Sequence, residues 1–308
     1  MLSYYKTVDG RMTQIEACEP GCWINCVAPD DREIESLIAD FEIEPDFFRA
    51  AMDEEESSHI DNEGNNTLVV IDIPVVEQEE GKSLLYSTMP MGLILTEKNV
   101  ITVSIRDNSV VDEFARGLVK GVRTNLKTRF LLHIMLRVAN RYLQYLKQID
   151  KISNTVEMEL RVSMKNSELL QLLDIEKSLV YFSSSLKGNE ITLEKIMRGR
   201  VIKLYDEDQD LLEDVLIEVK QAIEMSNIYL NILSGTMDAF ASVISNNLNI
   251  VMKVLASITL LFSVPAIITG AYGMNVAGIP FPNFWFPIAL SAGCILIVYW
   301  LLHKKNML

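Results

Sequence analysis

The 308-residue chain is long enough for two or three domains, and it is acidic overall, with a formal net charge of −14. All 42 Asp and Glu residues lie at or before Asp238, and only three of the 28 Lys and Arg residues follow it. Residues 254–302 carry no charged side chain, which argues against a wholly soluble protein, and the acidic balance leads us to expect no nucleic-acid partner.

The first part of the chain, residues 1–120, mixes strand and helix patterns. "CWINCVAP" predicts a strand, and "PDDREIESLIADF" predicts a helix that begins near Pro29 or Asp30 with acidic residues in its first turn. The β-branched run "NTLVVIDIPVV" predicts another strand, and "LLYSTMPMGLILTEKNVITVSI" predicts two more around Glu97, Lys98 and Asn99. We therefore expect an α+β domain with a mixed sheet and helices. The chain contains neither GxxxxGK[ST] nor GxGxxG, the usual nucleotide-binding motifs.

Three cysteines are spaced by four residues in "CEPGCWINC", namely Cys18, Cys22 and Cys26. The regular spacing allows a metal cluster. Zinc sites, however, generally use closer cysteine pairs and a second half-site, so the pattern favours a short strand in which cysteine acts as a small hydrophobic residue. Four cysteines in the whole chain fit a reducing compartment, and Cys294 is expected to pack within a second apolar run.

Helical patterns follow, and we assign residues 121–249 to a helical and stalk region. Residues 110 to about 165 are helix-like, a second pattern runs from Ser167 to about Gly188, and a third begins near Val201 and meets no proline before Pro265. The third pattern is long enough for a single stalk helix that needs partners. The acidic cluster near its start is typical of a solvated face.

Residues 250–308 form the predicted transmembrane domain. Helix-breaking residues concentrate between two apolar runs, which predicts spans at about 250–271 and 284–302 and an external loop at 272–283. Lys253 opens the first span and Lys304 and Lys305 close the second, so the positive-inside rule places both termini in the cytoplasm. Met1 to Gly21 contains no apolar signal sequence, so we expect a multi-pass protein of the cytoplasmic membrane rather than a secreted protein with an anchor.

A chain with two spans cannot enclose a polar pathway by itself, so a transport role requires several copies around an axis. Polar or small residues recur along one face of the first span at spacings of three and four. This face is either the wall of a pore or an ordinary packing seam between helices. Its members are Asp238, Asn249, Met252, Thr259, Ser263, Ala266 and Gly270.

The tetrapeptide "YGMN" at 272–275, between two terminal spans, resembles the signature of the CorA family of divalent metal ion transporters. The resemblance extends through "SNNLNIVMKVLASITLLFSVPAIITGAYGMN", "WINCVAPDDREIESL" and "PDFFRAAMDEEESSHIDNEGNNTLVVIDIP". It implies a funnel-shaped homopentamer in the lipid bilayer that carries Mg2+ passively, driven by the membrane potential. The first span then lines the pore and the second lies outside it.

The resemblance also implies residue roles. Gly273, Met274 and Asn275 form the outer entrance and selectivity site. The pore below is lined by Asn249, Met252, Leu255 and Ser263, with Asp238 near its cytoplasmic end; the family often has methionine where Ser263 stands. Regulatory Mg2+ would bind between neighbouring subunits, with Asp214 facing Glu77 or Glu79.

The transported ion stays open at this point. Magnesium is favoured, cobalt or nickel are expected to accompany it, and a zinc-transporting branch, proton-coupled or not, shares the architecture. His59, His133 and His303 offer no clustered zinc site in the sequence. A membrane-anchored sensor is the alternative outside transport. An enzyme is disfavoured because the soluble part shows no clustered nucleophile, base or organic-cofactor loop.

Overall fold

A computed structural model describes residues 1–77, 85–163, 165–199, 201–275, 278–281 and 283–305. The chain forms two compact units, Met1–Ser234 and Gly235–Leu308.

Within the described residues, one seven-stranded sheet organises the first unit, in the order β2-β1-β3-β7-β6-β5-β4. Strands β3 and β7 pair in parallel and the other neighbours are antiparallel, which confirms the predicted mixed sheet. The strands are β1 Leu2–Val8, β2 Arg11–Ile15, β3 Trp23–Val27, β4 His59–Glu63, β5 Asn66–Glu77, β6 Leu85–Leu95 and β7 Val100–Ser104.

The described helices are α1 Asp31–Phe41, α2 Pro45–Ala51, α3 Ser109–Ala115, α4 Lys127–Ser163, α5 Asn166–Met197, α6 Asp206–Tyr272 and α7 Trp285–Lys304. Helix α1 begins where the sequence predicts. The Asp30 carboxylate accepts a hydrogen bond from the Glu33 amide (2.8 Å), and the Glu33 carboxylate accepts one from the Asp30 amide (3.2 Å), which completes a capping box.

Both faces of the sheet are covered, because side chains alternate along each strand. Cys22, Ile24 and Cys26 of the β3 region join the core beneath α1 and α2. Trp23 faces the other way and packs against Phe114 of α3 and Phe130 of α4, with ring centroids 6.4 and 5.4 Å away. The strand interpretation of the cysteine spacing is therefore correct for Cys26, and Cys22, which directly precedes β3, is likewise a small buried residue of this core.

Two of the predicted helical patterns differ from the structure in their extent. The pattern over 110–165 is divided into α3 and α4, because Gly117 (φ +67°) and Gly121 (φ +77°) adopt left-handed backbone conformations between them. Helix α5 continues past Gly188 and ends at Met197. Gly188 instead allows close approach: a Cβ there would lie 3.2 Å from the Ser58 hydroxyl.

Asn189, the next residue of α5, holds strand β5. Its Oδ1 accepts a hydrogen bond from the Asp72 amide (2.9 Å), and its Nδ2 donates to the Asp72 carbonyl (2.8 Å). Strand β4 pairs with β5 only as far as His59 opposite Val70. The Asn189 side chain therefore takes the place of a further strand residue beside Asp72 and fixes the part of β5 that leads to Glu77.

In the second unit, the apolar part of α6 and the whole of α7 are long and apolar enough to cross a membrane. Within the chain, only 6% of the most apolar segment of α6 and 11% of that of α7 are buried, so neither helix is the core helix of a soluble domain.

Candidate ion pathway and metal sites

The segment that carries the GMN tripeptide begins where α6 ends. The Gly273 amide donates to the Thr269 carbonyl (2.9 Å), and the Met274 amide donates to the Ala271 carbonyl (3.4 Å). A Cβ on Gly273 would lie only 3.2 Å from the Thr269 oxygen, so glycine is what allows this tight helix end. Met274 and Asn275 follow it and are exposed. The Asn275 side chain is therefore exposed in the single chain.

Aromatic contacts join the two ends of the connecting loop. The Tyr272 hydroxyl donates to the Pro280 carbonyl (3.0 Å), and its ring lies 6.1 Å from that of Phe286 on α7. Phe281 stacks on Phe286 at 5.0 Å. These contacts tie the exit of α6 to the start of α7 and to the loop at Pro280 and Phe281. Sequence reasoning did not assign a role to Tyr272, although "YGMN" contains it.

The predicted pore face of α6 lies on one stripe of the helix, at successive spacings of three and four residues. Met252 and Leu255 are each 56% exposed. The Thr259 hydroxyl donates to the Leu255 carbonyl and the Ser263 hydroxyl to the Thr259 carbonyl, both at 2.8 Å. Their protons are thus engaged, and their oxygens present acceptor lone pairs. The exposed members of the stripe are Asp238, Asn249, Met252, Leu255, Thr259 and Ala266, while Ser263 is half-buried.

The predicted regulatory carboxylates lie apart in sequence and differ in environment. Glu77, at the end of β5, accepts hydrogen bonds from Arg106 (2.6 Å) and from the Ser87 hydroxyl (3.0 Å). The Arg106 hydrogen bond holds the pKa of Glu77 below its usual value. Asp214 is exposed on α6. Glu79 lies outside the described residues. The contact between Arg106 and Glu77 could not be predicted from the sequence, because no local pattern links Arg106 to a residue on β5.

The three closely spaced cysteines are not one cluster. The Sγ atoms of Cys18 and Cys22 lie 3.7 Å apart and share a hydrogen bond, whereas Cys26 belongs to the core beneath α1 and α2. Burial raises the pKa of both the Cys18 and the Cys26 thiols to about 12, and in Cys18 the hydrogen bond to Cys22 adds to the effect. Across the residues that the structure covers, no group of three or more His, Cys, Asp and Glu side chains is placed to hold a metal ion.

The chain combines an α+β domain with the 67-residue helix α6, whose apolar part is joined to the apolar helix α7 through the exposed GMN segment. These features define a two-span membrane protein with a large extramembrane domain. The chain belongs to the CorA family: the family model described as "CorA-like Mg2+ transporter protein" matches residues 19–304.

Two curated relatives support the same assignment. The chain is 27% identical to the cobalt/magnesium transport protein CorA of Methanocaldococcus jannaschii over 297 residues. This alignment covers 92% of this chain and 90% of the relative. It is 24% identical to the protein of that name from Thermotoga maritima over 226 residues, and that alignment covers 70% of this chain and 63% of the relative.

Among solved structures, the complete CorA magnesium transporter of M. jannaschii superposes with a TM-score of 0.85 at 23% identity, over 100% of this chain and 99% of that one. The full-length CmaX protein superposes with a TM-score of 0.74 at 16% identity, over 99% of this chain and 97% of that one. These similarities confirm the fold. The family assignment makes the protein a CorA-family transporter of divalent cations.

Proposed function

We propose that five copies of the chain form a pore in the cytoplasmic membrane through which Mg2+ enters the cell. The observation that carries the proposal is the stripe of polar and small residues along α6, which leads to the exposed Asn275 just beyond the end of the helix. In hydrocarbon, polar side chains need polar or aqueous partners, and a two-span chain cannot supply a closed pathway alone. Association around a central axis would bring the five stripes together and line a path from Asn275 to Asp238.

Asn275 is the proposed selectivity residue. Mg2+ gives up its bound water reluctantly, so a ring of neutral amide oxygens suits it: the oxygens accept hydrogen bonds from the hydrated ion without stripping it. A ring of five carboxylates would hold the ion too tightly for release. The segment after Asn275, "VAGIPFPNFW", contains no acidic residue, so capture at the mouth rests on Asn275 and on backbone carbonyls.

Below this ring, Met252 and Leu255 would form an apolar neck that closes by excluding water. Opening the neck would allow flow down the electrochemical gradient. Inward movement of a divalent ion gains about 4.6 kcal/mol per 100 mV, twice the value for a single charge. The membrane potential therefore suffices as a driving force, and the absence of a nucleotide-binding motif from the sequence agrees with passive transport.

The ends of α7 fit a spanning helix with both termini in the cytoplasm. Lys304 lies 5.3 Å from the ring of Trp300, as expected where a helix leaves the membrane on its positively charged side. At the other end, Phe284 and Trp285 are 74% and 70% exposed and provide an aromatic anchor at the outer interface.

Intracellular Mg2+ would regulate the pore by binding between Asp214 of one subunit and Glu77 of its neighbour. Two carboxylates from different chains repel one another unless a cation lies between them, so bound metal would hold the subunits together and the pore closed. The ion must compete with Arg106, which already neutralises Glu77 within the chain. This competition would set the concentration at which the pore closes.

The test is uptake by reconstituted liposomes that contain a magnesium-sensitive dye, with an imposed inside-negative potential. Asn275→Ala should slow uptake by at least about tenfold while leaving the oligomer intact, since each lost water-mediated bond contributes about 1 kcal/mol. Asn283→Ala, the same change elsewhere in the loop, is the matched control. Unaltered uptake by Asn275→Ala would refute the selectivity role of Asn275, and no uptake by the wild-type protein would instead support a membrane-anchored sensor.

Cobalt is the second candidate ion, because the names of both relatives pair it with magnesium. The same liposomes, offered Co2+, Ni2+ or Zn2+ with and without a pH gradient, rank the ions and test proton coupling. Zn2+ uptake that requires the gradient and exceeds Mg2+ uptake would overturn the assignment to magnesium.

A further inference from the structure

The chain holds two thiols side by side at the entry to β3. Pro20 and Gly21 form a tight turn in which the Cys22 amide donates to the Glu19 carbonyl (3.1 Å) and Gly21 takes the left-handed φ of +76°. The Gly21 amide also donates to the Lys98 carbonyl (3.0 Å), which fixes the turn to the β6–β7 connection. This turn places the Sγ atoms of Cys18 and Cys22 3.7 Å apart.

An amide group is directed at both sulfur atoms. The Nδ2 atom of Asn99 lies 3.1 Å from the Cys22 Sγ and 4.0 Å from the Cys18 Sγ. The same nitrogen lies 2.8 and 3.1 Å from the Glu19 and Cys22 carbonyls, so its position is fixed, and its two N–H groups are shared among these four acceptors. Such outer groups orient the ligands of metal sites.

The sulfur separation matches the bite of a tetrahedral metal ion. With metal–sulfur bonds of about 2.3 Å and a tetrahedral angle, two thiolates bound to one ion lie about 3.8 Å apart. Little side-chain movement is therefore needed for both sulfurs to bind the same ion. Cys22 is buried and Cys18 is exposed, so an ion can reach the pair from solvent.

We propose that Cys18 and Cys22 chelate a thiophilic divalent cation such as Zn2+ or Co2+, which replaces the two thiol protons. The structure offers no third His, Cys, Asp or Glu ligand among the residues that it describes, so water completes the coordination shell. The site is consequently open and exchangeable. Mg2+, a hard ion that prefers oxygen ligands, is excluded from it, so this site is chemically distinct from the proposed pore and independent of it.

The test uses the full-length, detergent-purified protein, fully reduced with a phosphine and kept free of oxygen. Titration with Co2+ should produce a thiolate-to-cobalt charge-transfer band that saturates at one ion per chain and releases about two protons per ion. Zn2+ should abolish the band, and a large excess of Mg2+ should leave it unchanged. Asn99→Ala should weaken Co2+ binding by about tenfold, as is usual for groups that orient metal ligands.

Cys18→Ser should remove the band. Because Cys18 is exposed, this variant is expected to fold, which circular dichroism and gel filtration verify. Cys294→Ser, which removes a cysteine from α7, is the matched control and should keep the band. Asn275→Ala should also keep it, whatever happens to transport. The proposal is overturned if the reduced wild-type protein gives no charge-transfer band, or if Cys18→Ser retains it.

Discussion

Replacing Asn189 by leucine tests how the first unit positions the end of β5. Asn189 is 3% exposed, and its amide bonds both the N–H and the carbonyl of Asp72, while its Oδ1 also accepts from the Ser58 hydroxyl (2.9 Å). In Asn189→Leu the Asp72 N–H and the Ser58 hydroxyl lose this partner. The Asp72 carbonyl keeps its bond from the Tyr142 hydroxyl (3.1 Å).

A buried polar group left without a partner costs about 1 to 3 kcal/mol; because Ser58 and Asp72 are only partly buried, we expect the low end of this range, a loss of about 1.4 kcal/mol in the free energy of opening β5. Hydrogen exchange of the β5 amides in the full-length protein should accelerate by about tenfold, since each 1.4 kcal/mol is a factor of ten. Asn140→Leu is the control, because the Asn140 amide bonds only the Leu136 carbonyl on the exposed side of α4. Equal exchange in Asn189→Leu and the wild type would refute the reasoning.

Two further predictions concern transport. Arg106→Gln should lower, by about threefold, the internal Mg2+ concentration at which uptake is half-inhibited. The reason is that a partly exposed ion pair, which contributes under ~1 kcal/mol, no longer competes with Mg2+ for Glu77. An unchanged concentration would contradict the proposed regulatory site. Because Arg106 lowers the pKa of Glu77, inhibition of wild-type uptake by internal Mg2+ is present at neutral pH and is lost as pH falls through that lowered pKa. Arg106→Gln should lose this inhibition at a higher pH. Gly273→Ala should reduce uptake by roughly tenfold, because the new methyl group presses on the Thr269 carbonyl at a cost of at least ~1 kcal/mol. Gly293→Ala, on α7 and with open space around its Cβ, should behave like the wild type, and equal uptake by both variants would show that the helix end tolerates the methyl group.

Local patterns in the sequence predicted the elements whose burial is continuous. The β-branched run of β5 and the two strands around Glu97–Asn99 were placed correctly, because strands that are buried on both faces read as apolar segments whatever their partners. Strands β1 and β2 were missed. Their side chains are mostly half-buried or exposed, so no apolar run or clean alternation marks them.

Contacts distant in sequence account for the rest. Gly188 was read as a helix end, but its lack of a side chain serves the approach of Ser58, which is 130 residues earlier in the chain. The pairing of Glu77 with Arg106 likewise depends on how β5, β6 and β7 are ordered in the sheet. The roles of Asn275 and of the α6 stripe could be predicted because the helical period and the tripeptide are local features, and they stay predictions until transport is measured.

The hydroxyl groups of the α6 stripe bear on why a hydrated ion would pass along it. Each hydroxyl proton is committed to a backbone carbonyl one turn earlier, so Thr259 and Ser263 present acceptors and no free donor. The water shell of a cation points its hydrogens outward and needs acceptors. A pore lined by amide and hydroxyl oxygens, with no charge between 254 and 302, would therefore exchange one set of hydrogen bonds for another as the ion advances. Binding at each level would stay weak, which is the condition for release into the cell.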